Sequence, residues 1–171
     1  MTNILENTRI LAVDDEPDIL ETLEDLLAGI KGLTIETAED YDGGFHLLRS
    51  WTYDAVILDI MGVRGFDLLN TSVHRGFPTI MLTAHALSPE SLKRSIELGA
   101  RAYLPKEKMD DIVLFLEDVV SLSRKNVLGR MMDRLGPYFT RRFGKDWRES
   151  EKSFWEKVES GKYDEGPVIL T

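Results

Sequence analysis

The chain has 171 residues, 43% of them hydrophobic, which suffices for one domain with a packed core and excludes extensive disorder. It contains no cysteine, which excludes disulfides and thiolate metal sites. Because no apolar run approaches the length of a membrane span and no cationic-apolar leader opens the chain, we expect a cytoplasmic protein without a membrane partner.

The net charge of −9 is unevenly distributed along the chain. Residues 1–123 carry 10 basic and 22 acidic side chains, whereas residues 124–171 carry 11 basic and 8 acidic ones. An acidic body disfavours nucleic-acid binding, because that affinity comes largely from neutralising phosphates. For the weakly basic tail, an ordinary solvated surface is a simpler interpretation than a nucleic-acid contact.

Apolar runs of strand length alternate with segments of helical periodicity in the first 123 residues. The strand-like runs cover residues 9–13, 33–38, 54–59, 78–83 and 101–104. Helices are predicted at about 16–29, at 41–50, from Gly65 to near Gly76, from Pro89 to Gly99 behind a Ser88 cap, and from Met109 onward. Five strand–helix repeats predict a parallel α/β sheet with helices on both faces, and the fully apolar third strand is expected at its centre.

The tail after residue 123 is predicted to be helical. Its apolar periodicity is in phase with the fifth helix, so we expect that helix to run on as far as Leu135. Gly136 and Pro137 are expected to stop it. A further helix, with an aromatic stripe, is predicted from Asp146 to about Ser160, and the last ten residues are expected to be extended.

Acidic side chains end two of the predicted strands. Asp14 and Asp15 follow the first strand, and Asp59 ends the third. The carboxyl ends of parallel strands gather at one edge of the sheet, and neighbouring carboxylates favour a bound cation such as Mg²⁺. For Asp15 alone, a helix cap is an equally good interpretation, and an isolated Asp59 would more often cap a turn.

Asp59 is also suited to nucleophilic attack on a phosphoryl group, since a nearby dication would screen the charge repulsion. Thr83 and Lys106 follow the fourth and fifth strands, where a hydroxyl and an ammonium group can bind phosphoryl oxygens. Considered alone, Thr83 would be interpreted as an ordinary strand residue and Lys106 as a solvated surface lysine.

In this order and at these strand ends, the polar residues resemble the receiver domain of two-component response regulators, over about residues 8–122. The segment 53–59 is similar to that family's third strand, and Tyr103 stands where the family has its switch aromatic. The matching residues are Asp14, Asp15, Asp59, Thr83, Tyr103 and Lys106. The resemblance predicts a receiver domain at residues 1–123 and a helical extension at residues 124–171.

The resemblance implies a flavodoxin-like doubly wound sheet of order 2-1-3-4-5. It implies that Asp59 accepts a phosphoryl group from a histidine kinase, a phosphotransfer protein or a small phosphodonor, and that the protein is a switch rather than an enzyme. The implied Mg²⁺ ligands are Asp14, Asp15, Asp59 and the backbone carbonyl of Met61. Thr83 and Lys106 would bind the phosphoryl oxygens, and Thr83 and Tyr103 would switch the surface formed by the fourth helix, fifth strand and fifth helix.

Two loops depart from the family pattern. Gly65 comes only six residues after Asp59, so the loop is about two residues short, and Gly62 is expected to supply the unusual dihedral angles of a tighter path. Pro105 precedes Lys106, whereas the family has a cis proline after the lysine, so a trans bond is expected here.

Several alternatives for function follow from the same residues. The 48 residues of the tail are too few for a winged-helix DNA reader with its linker, so we expect output through protein contact. A continued fifth helix would favour a homodimer. A constitutive docking module that takes no phosphate stays open, whereas an aspartyl-nucleophile phosphatase would need a second aspartate at the position of Met61.

Overall fold

The computed structural model describes residues 3–85 and 87–168, in which five strands alternate with helices. The strands are β1 (Arg9–Val13), β2 (Thr34–Ala38), β3 (Ala55–Asp59), β4 (Thr79–Thr83) and β5 (Ala102–Pro105). The helices are α1 (Pro17–Leu27), α2 (Tyr41–Ser50), α3 (Gly65–His74), α4 (Pro89–Glu97), α5 (Ile112–Ser121), α6 (Arg124–Phe143) and α7 (Lys152–Glu159). Short 3₁₀ helices cover Lys106–Asp111 and Glu149–Glu151.

All strand pairs are parallel, and the order is β2-β1-β3-β4-β5. Every residue of β3 is buried, as expected for a central strand covered on both faces. The predicted flavodoxin-like α/β fold is therefore confirmed. Among the described residues, no helix combines the length and the apolar character that crossing a membrane requires.

Side-chain caps mark the starts of two helices, α2 and α4. Ser88 accepts a hydrogen bond from the Ser91 backbone N–H, and Pro89 occupies the first turn of α4, as predicted. Asp40 caps α2 in the same way through the Gly43 N–H. These two caps fix the first residues of α2 and α4.

The predicted continuation of the fifth helix is wrong. α5 ends at Ser121, Leu122 is extended with ψ 158°, and α6 begins separately at Arg124. The Arg124 side chain then donates hydrogen bonds to the carbonyls of Ala100, Ile96 and Glu165. The break lets α6 fold back onto the same molecule, which removes the continuous helix on which the homodimer prediction depended.

The predicted stop at Gly136 and Pro137 is also wrong, because α6 passes through both residues to Phe143. An interior proline removes one helical hydrogen bond and costs about 3 kcal/mol. Burial of the next turn opposes that cost, since Phe139 is fully buried and Tyr138 nearly so. Tertiary packing thus overrides the local breaker signal.

The last predicted helix starts later than expected. Residues 145–148 form turns, the 3₁₀ helix follows, and α7 runs only from Lys152 to Glu159. The expected aromatic side is nevertheless buried, with Trp147 and Trp155 against each other at 4.8 Å between ring centroids. Residues 162–168 have no regular secondary structure, and the final three residues lie outside the described part of the chain.

The tail covers one edge of the sheet. β5 is an edge strand in the strand order, yet all four of its residues are buried, whereas the residues of the opposite edge strand, β2, are all partly or fully exposed. The β5 backbone N–H of Tyr103 lies 3.2 Å from Met131 Sδ of α6, and the Tyr103 ring packs edge-on against Phe139. The tail therefore shields an otherwise open strand edge and extends the hydrophobic core of the sheet.

Candidate functional site

Three carboxylates meet at the carboxyl edge of the sheet. Val13 pairs with Leu58 across β1 and β3, so Asp14 and Asp59 are the next residues at neighbouring strand ends. One carboxylate oxygen from each of Asp14, Asp15 and Asp59 lies within 4.8 Å of the other two. Asp14 and Asp59 are buried and Asp15 is exposed. The structure thus brings together the three acids that the sequence places apart.

Lys106 reaches the same pocket. Its Nζ lies 2.9 Å from Asp14 Oδ2 and 3.5 Å from Asp59 Oδ1. The backbone turns directly from β5 into the 3₁₀ helix at Lys106, and the described residues contain no cis peptide bond. The reversed order of Pro105 and Lys106 is therefore compatible with an ammonium group beside Asp59.

Burial sets the protonation of the pocket. It raises the pKa of Asp59 to about 7, with the charge of Asp14 as the next cause. Burial also raises the pKa of Asp14. Burial alone would lower the pKa of Lys106, but its hydrogen bonds to Glu16 and Asp14 raise it overall, so the lysine stays charged. A single ammonium group does not offset the crowded carboxylates, and the pocket favours an additional cation.

The donor set fits Mg²⁺, because three carboxylate oxygens on one side leave further positions for water or phosphoryl oxygens. Asp14, Asp15 and Asp59 would hold the ion, which would screen the charge on Asp59 against an incoming phosphoryl group. The backbone carbonyl of Met61 stays a predicted ligand; the Met61 side chain is exposed and supplies no second acid.

The short loop after β3 is shaped by two glycines. Gly62 has φ +86°, as expected, and a Cβ there would lie 2.2 Å from Asp15 Oδ2. A Cβ on Gly65 would lie 2.1 Å from the Asp59 carbonyl oxygen. Since a Cβ would collide with backbone at Gly65 and with the Asp15 carboxylate at Gly62, the loop packs closely under the acidic cluster.

The remaining predicted residues lie near the pocket or behind it. Thr83 is buried at the end of β4, one residue beyond Leu82, which pairs with Asp59. Tyr103 is fully buried, and its hydroxyl lies 2.8 Å from the Ser91 hydroxyl of α4. Tyr103 thus lies inward under α6, where its ring packs against Phe139.

Sequence reasoning missed Glu16, whose Oε2 lies 2.8 Å from Lys106 Nζ. The contact lowers the pKa of the Glu16 carboxyl. The available signal was the run of three acidic residues from Asp14 to Glu16, but nothing in the sequence says that the third faces a lysine ninety positions later.

The geometry agrees with the comparison to known families. Residues 10–117 match the model of the response regulator receiver domain. The chain belongs to this family. Receiver domains are generally phosphoacceptors rather than enzymes; they bind Mg²⁺ at an acidic pocket and interact with histidine kinases or phosphotransfer proteins.

Curated relatives match this receiver domain over part of their length. The transcriptional regulatory protein CusR of Escherichia coli is 36% identical over 104 residues, which cover 57% of this chain and 44% of CusR. The gliding motility regulatory protein of Myxococcus xanthus is 33% identical over 112 residues, covering 62% of this chain and 14% of that protein. The chain thus aligns with less than half the length of these relatives.

Solved receiver domains have a similar fold. The non-phosphorylated HemR receiver domain of Leptospira biflexa is 34% identical with a TM-score of 0.59, covering 68% of this chain and 96% of HemR's solved chain. A response regulator receiver domain from Clostridium thermocellum is 26% identical with a TM-score of 0.59, covering 71% and 98%. In both comparisons, the part of this chain that the solved domain does not cover is long enough to contain the α6–α7 tail.

Proposed function

We propose that this receiver domain accepts a phosphoryl group on Asp59 in a reaction that depends on Mg²⁺. The observation that carries the proposal is the meeting of Asp14, Asp15 and Asp59 with the Lys106 ammonium group at one strand edge. In this reaction an Asp59 oxygen attacks phosphorus, the bond from phosphorus to the leaving group breaks, and an acyl phosphate forms.

Each residue has a defined role in the proposed reaction. Asp14 and Asp15 would hold the ion beside Asp59, together with the Met61 carbonyl. Lys106 and the Thr83 hydroxyl bind the phosphoryl oxygens and neutralise the charge that develops on them. Burial raises the pKa of Asp59 to about 7, and a cation held by Asp14 and Asp15 would favour the ionised carboxylate that the attack needs.

The phosphodonor is a histidine kinase, a phosphotransfer protein or a small acyl phosphate, by likeness to the family. We further propose that this chain responds through protein contact rather than through DNA. The support is its acidic receiver surface and a tail whose aromatic side chains are buried against β5 and each other.

The proposal is tested by incubating the protein with acetyl phosphate and Mg²⁺ and measuring its intact mass. We expect the wild type to gain one phosphoryl group and Asp59→Asn to gain none. Asp54→Asn is the matched control, since Asp54 lies just before the other end of β3 and its side chain accepts a hydrogen bond from the Arg9 N–H. The control should be phosphorylated like the wild type, and chelation of Mg²⁺ should abolish the gain. A wild type that takes no phosphoryl group would contradict the proposal and favour a constitutive docking module.

A further inference from the structure

One helix of the tail is strongly basic in an otherwise acidic chain. α6 has six basic side chains and one acidic side chain, a net charge of +5, whereas all other residues together carry −14. Seven of the eight acidic residues of the tail follow residue 144. The small net charge of the tail as a whole therefore conceals a concentration of positive charge on α6.

Three arginines of α6 lie on one exposed face. Arg130, Arg134 and Arg141 are four and seven residues apart, intervals that return to the same side of an α-helix. All three are exposed, as is Pro137 between them. With a rise of about 1.5 Å per residue, the intervals are about 6 and 10 Å, and this arginine row (Arg130, Arg134 and Arg141) is about 16 Å long.

The nearby carboxylates do not neutralise the arginine row. Arg130 Nε and Arg134 Nη2 lie 3.2 and 3.5 Å from the same oxygen, Oδ2 of Asp118. The Asp118 side chain is 15% exposed and that of Arg130 is 53% exposed, so the aspartate lies beneath the row. Asp133, the one acidic residue of α6, borders the groove toward Glu159. The row thus keeps a positive charge that faces solvent.

The opposite side of α6 holds the arginine row in a fixed place. Leu128 and Leu135 are buried in the core, and Met131 and Phe139 contact Tyr103 of β5. Because the helix is packed along its length, little backbone ordering is required when a partner binds. The planar guanidinium group also suits paired hydrogen bonds to a carboxylate. The row is therefore preorganised to bind carboxylates that recur at helical spacing.

The surroundings of the arginine row favour an acidic protein segment over nucleic acid. The row ends after three arginines, and acidic side chains lie beside it at Asp118 and Asp133. A nucleic acid would carry its phosphates onward over this acidic surface, where they would be repelled. A short helix with carboxylates four and seven residues apart matches the intervals of the row and ends where the row ends.

Resting on the proposed response through protein contact, we propose that the arginine row of α6 is the docking surface for an acidic helix of a partner protein. Carboxylates of that helix pair with Arg130, Arg134 and Arg141, and its remaining surface lies over Pro137. Because the pairs are exposed, the contact is reversible and weakens as the salt concentration rises.

The first test is a titration of ¹⁵N-labelled protein with a synthetic helical peptide of alanine and glutamate, whose glutamates alternate at intervals of four and three residues. Amide NMR shifts report both the affinity and the site. At low salt we expect shifts on α6 between residues 126 and 141. Combining Arg130→Gln, Arg134→Gln and Arg141→Gln should weaken binding about tenfold, the scale of three exposed ion pairs.

The matched control replaces three exposed lysines elsewhere in the tail, Lys152→Gln, Lys157→Gln and Lys162→Gln. It removes the same charge and leaves the arginine row intact, so its affinity should stay within about twofold of the wild type. An equal loss in both triple variants would show that net charge alone attracts the peptide, and would overturn the proposal. Both variants should keep the wild-type unfolding midpoint, because exposed charges contribute little to stability.

Two further outcomes would overturn the docking surface. One is a wild type that does not bind the peptide or binds it away from α6. The other is tighter binding of a single-stranded oligonucleotide of the same charge, because it would assign the row to nucleic acid. Acetyl phosphate with Mg²⁺ separates this proposal from the proposed phosphorylation. A phosphorylated wild type that binds no peptide overturns the docking surface alone, and a wild type that binds the peptide but takes no phosphoryl group overturns the phosphoacceptor alone.

Discussion

The acidic pocket and the aromatic tail are opposite solutions to burying side chains in one small protein. The pocket collects four acidic side chains around one lysine, with the pKa of Asp59 raised by burial. The tail collects aromatic rings that pack on one another, with Phe139 between Tyr103 and Trp147. The comparison teaches that the proposed function would rest on crowded carboxylates, which the surrounding apolar packing has to hold in place.

The two regions meet at the end of β5. Tyr103 belongs to the strand and is covered by the tail, and Lys106, the first residue after the strand, belongs to the pocket. We therefore expect a substitution in one region to affect the other. The size of that effect depends on how strongly the tail is bound to β5.

Phe139→Ala should have the largest effect on stability. Phe139 is fully buried between the sheet edge and the tail, and removing such a ring costs about 3–5 kcal/mol. Chemical denaturation should show this loss in a single transition. Trp51→Ala is the control, since Trp51 is 49% exposed and its loss should cost less than about 1 kcal/mol. An unchanged midpoint for Phe139→Ala would mean that the tail does not stabilise the receiver.

Asp59→Asn should stabilise the Mg²⁺-free protein at pH 8. The Asp59 carboxyl has an ordinary pKa of 3.8 and a folded-state pKa of about 7, so the unfolded state ionises first and stability falls as pH rises between about 4 and 7. Above pH 7 the variant should exceed the wild type by about 2 kcal/mol, less than the full linkage value because Lys106 loses a partner.

Thermal unfolding of both proteins at pH 4 and pH 8, with and without Mg²⁺, checks this prediction. The difference should disappear at pH 4, where the carboxyl is protonated in the folded state. Saturating Mg²⁺ should reduce or reverse it, because the ion stabilises the ionised pocket. A variant that is less stable than the wild type at pH 8 without Mg²⁺ would show that the pocket is not strained.

Gly62→Ala should cost about 1–2 kcal/mol and weaken Mg²⁺ binding. Its positive φ disfavours a side chain, and the new methyl group would displace the carboxylate of Asp15. Titration calorimetry with Mg²⁺ and thermal unfolding measure the two effects. Gly29→Ala, where no atom lies within 4 Å of the added Cβ, should change neither by a measurable amount.

Arg130→Ala should have the smallest effect, below about 0.5 kcal/mol, because the Arg130 side chain is half exposed and Arg134 contacts the same carboxylate of Asp118. Denaturation at low and high salt should give the same small difference within error. A loss above 1 kcal/mol would mean that the tail is attached by charge rather than by its aromatic face.

The receiver elements were predictable because each carries its own local signal. Apolar runs located all five strands, and Ser88 with Pro89 marked the start of α4. The three acids and Lys106 were predictable as a group because strand ends in a parallel sheet share one edge. Glu16 was not predictable, since its role depends on where a distant lysine side chain lies.

The tail marks where local reasoning stops. Pro137 is a strong local breaker, yet α6 continues because the following rings are buried. The apolar residues of the tail keep the helical spacing of α5, which predicted one long helix. Instead, the chain turns at Leu122 and folds back. In both places the deciding free energy comes from contacts with residues far away in the sequence.

The sequence by itself determined the α/β repeat, the order of polar residues at the strand ends and the need for glycine at position 62, because these depend on periodicity and backbone sterics. Only the tertiary structure decided that α6 covers the edge of β5 and that its three arginines face solvent on the other side. The physical reason is that burial and hydrogen bonding between distant segments outweigh local helix propensities whenever the buried area is large.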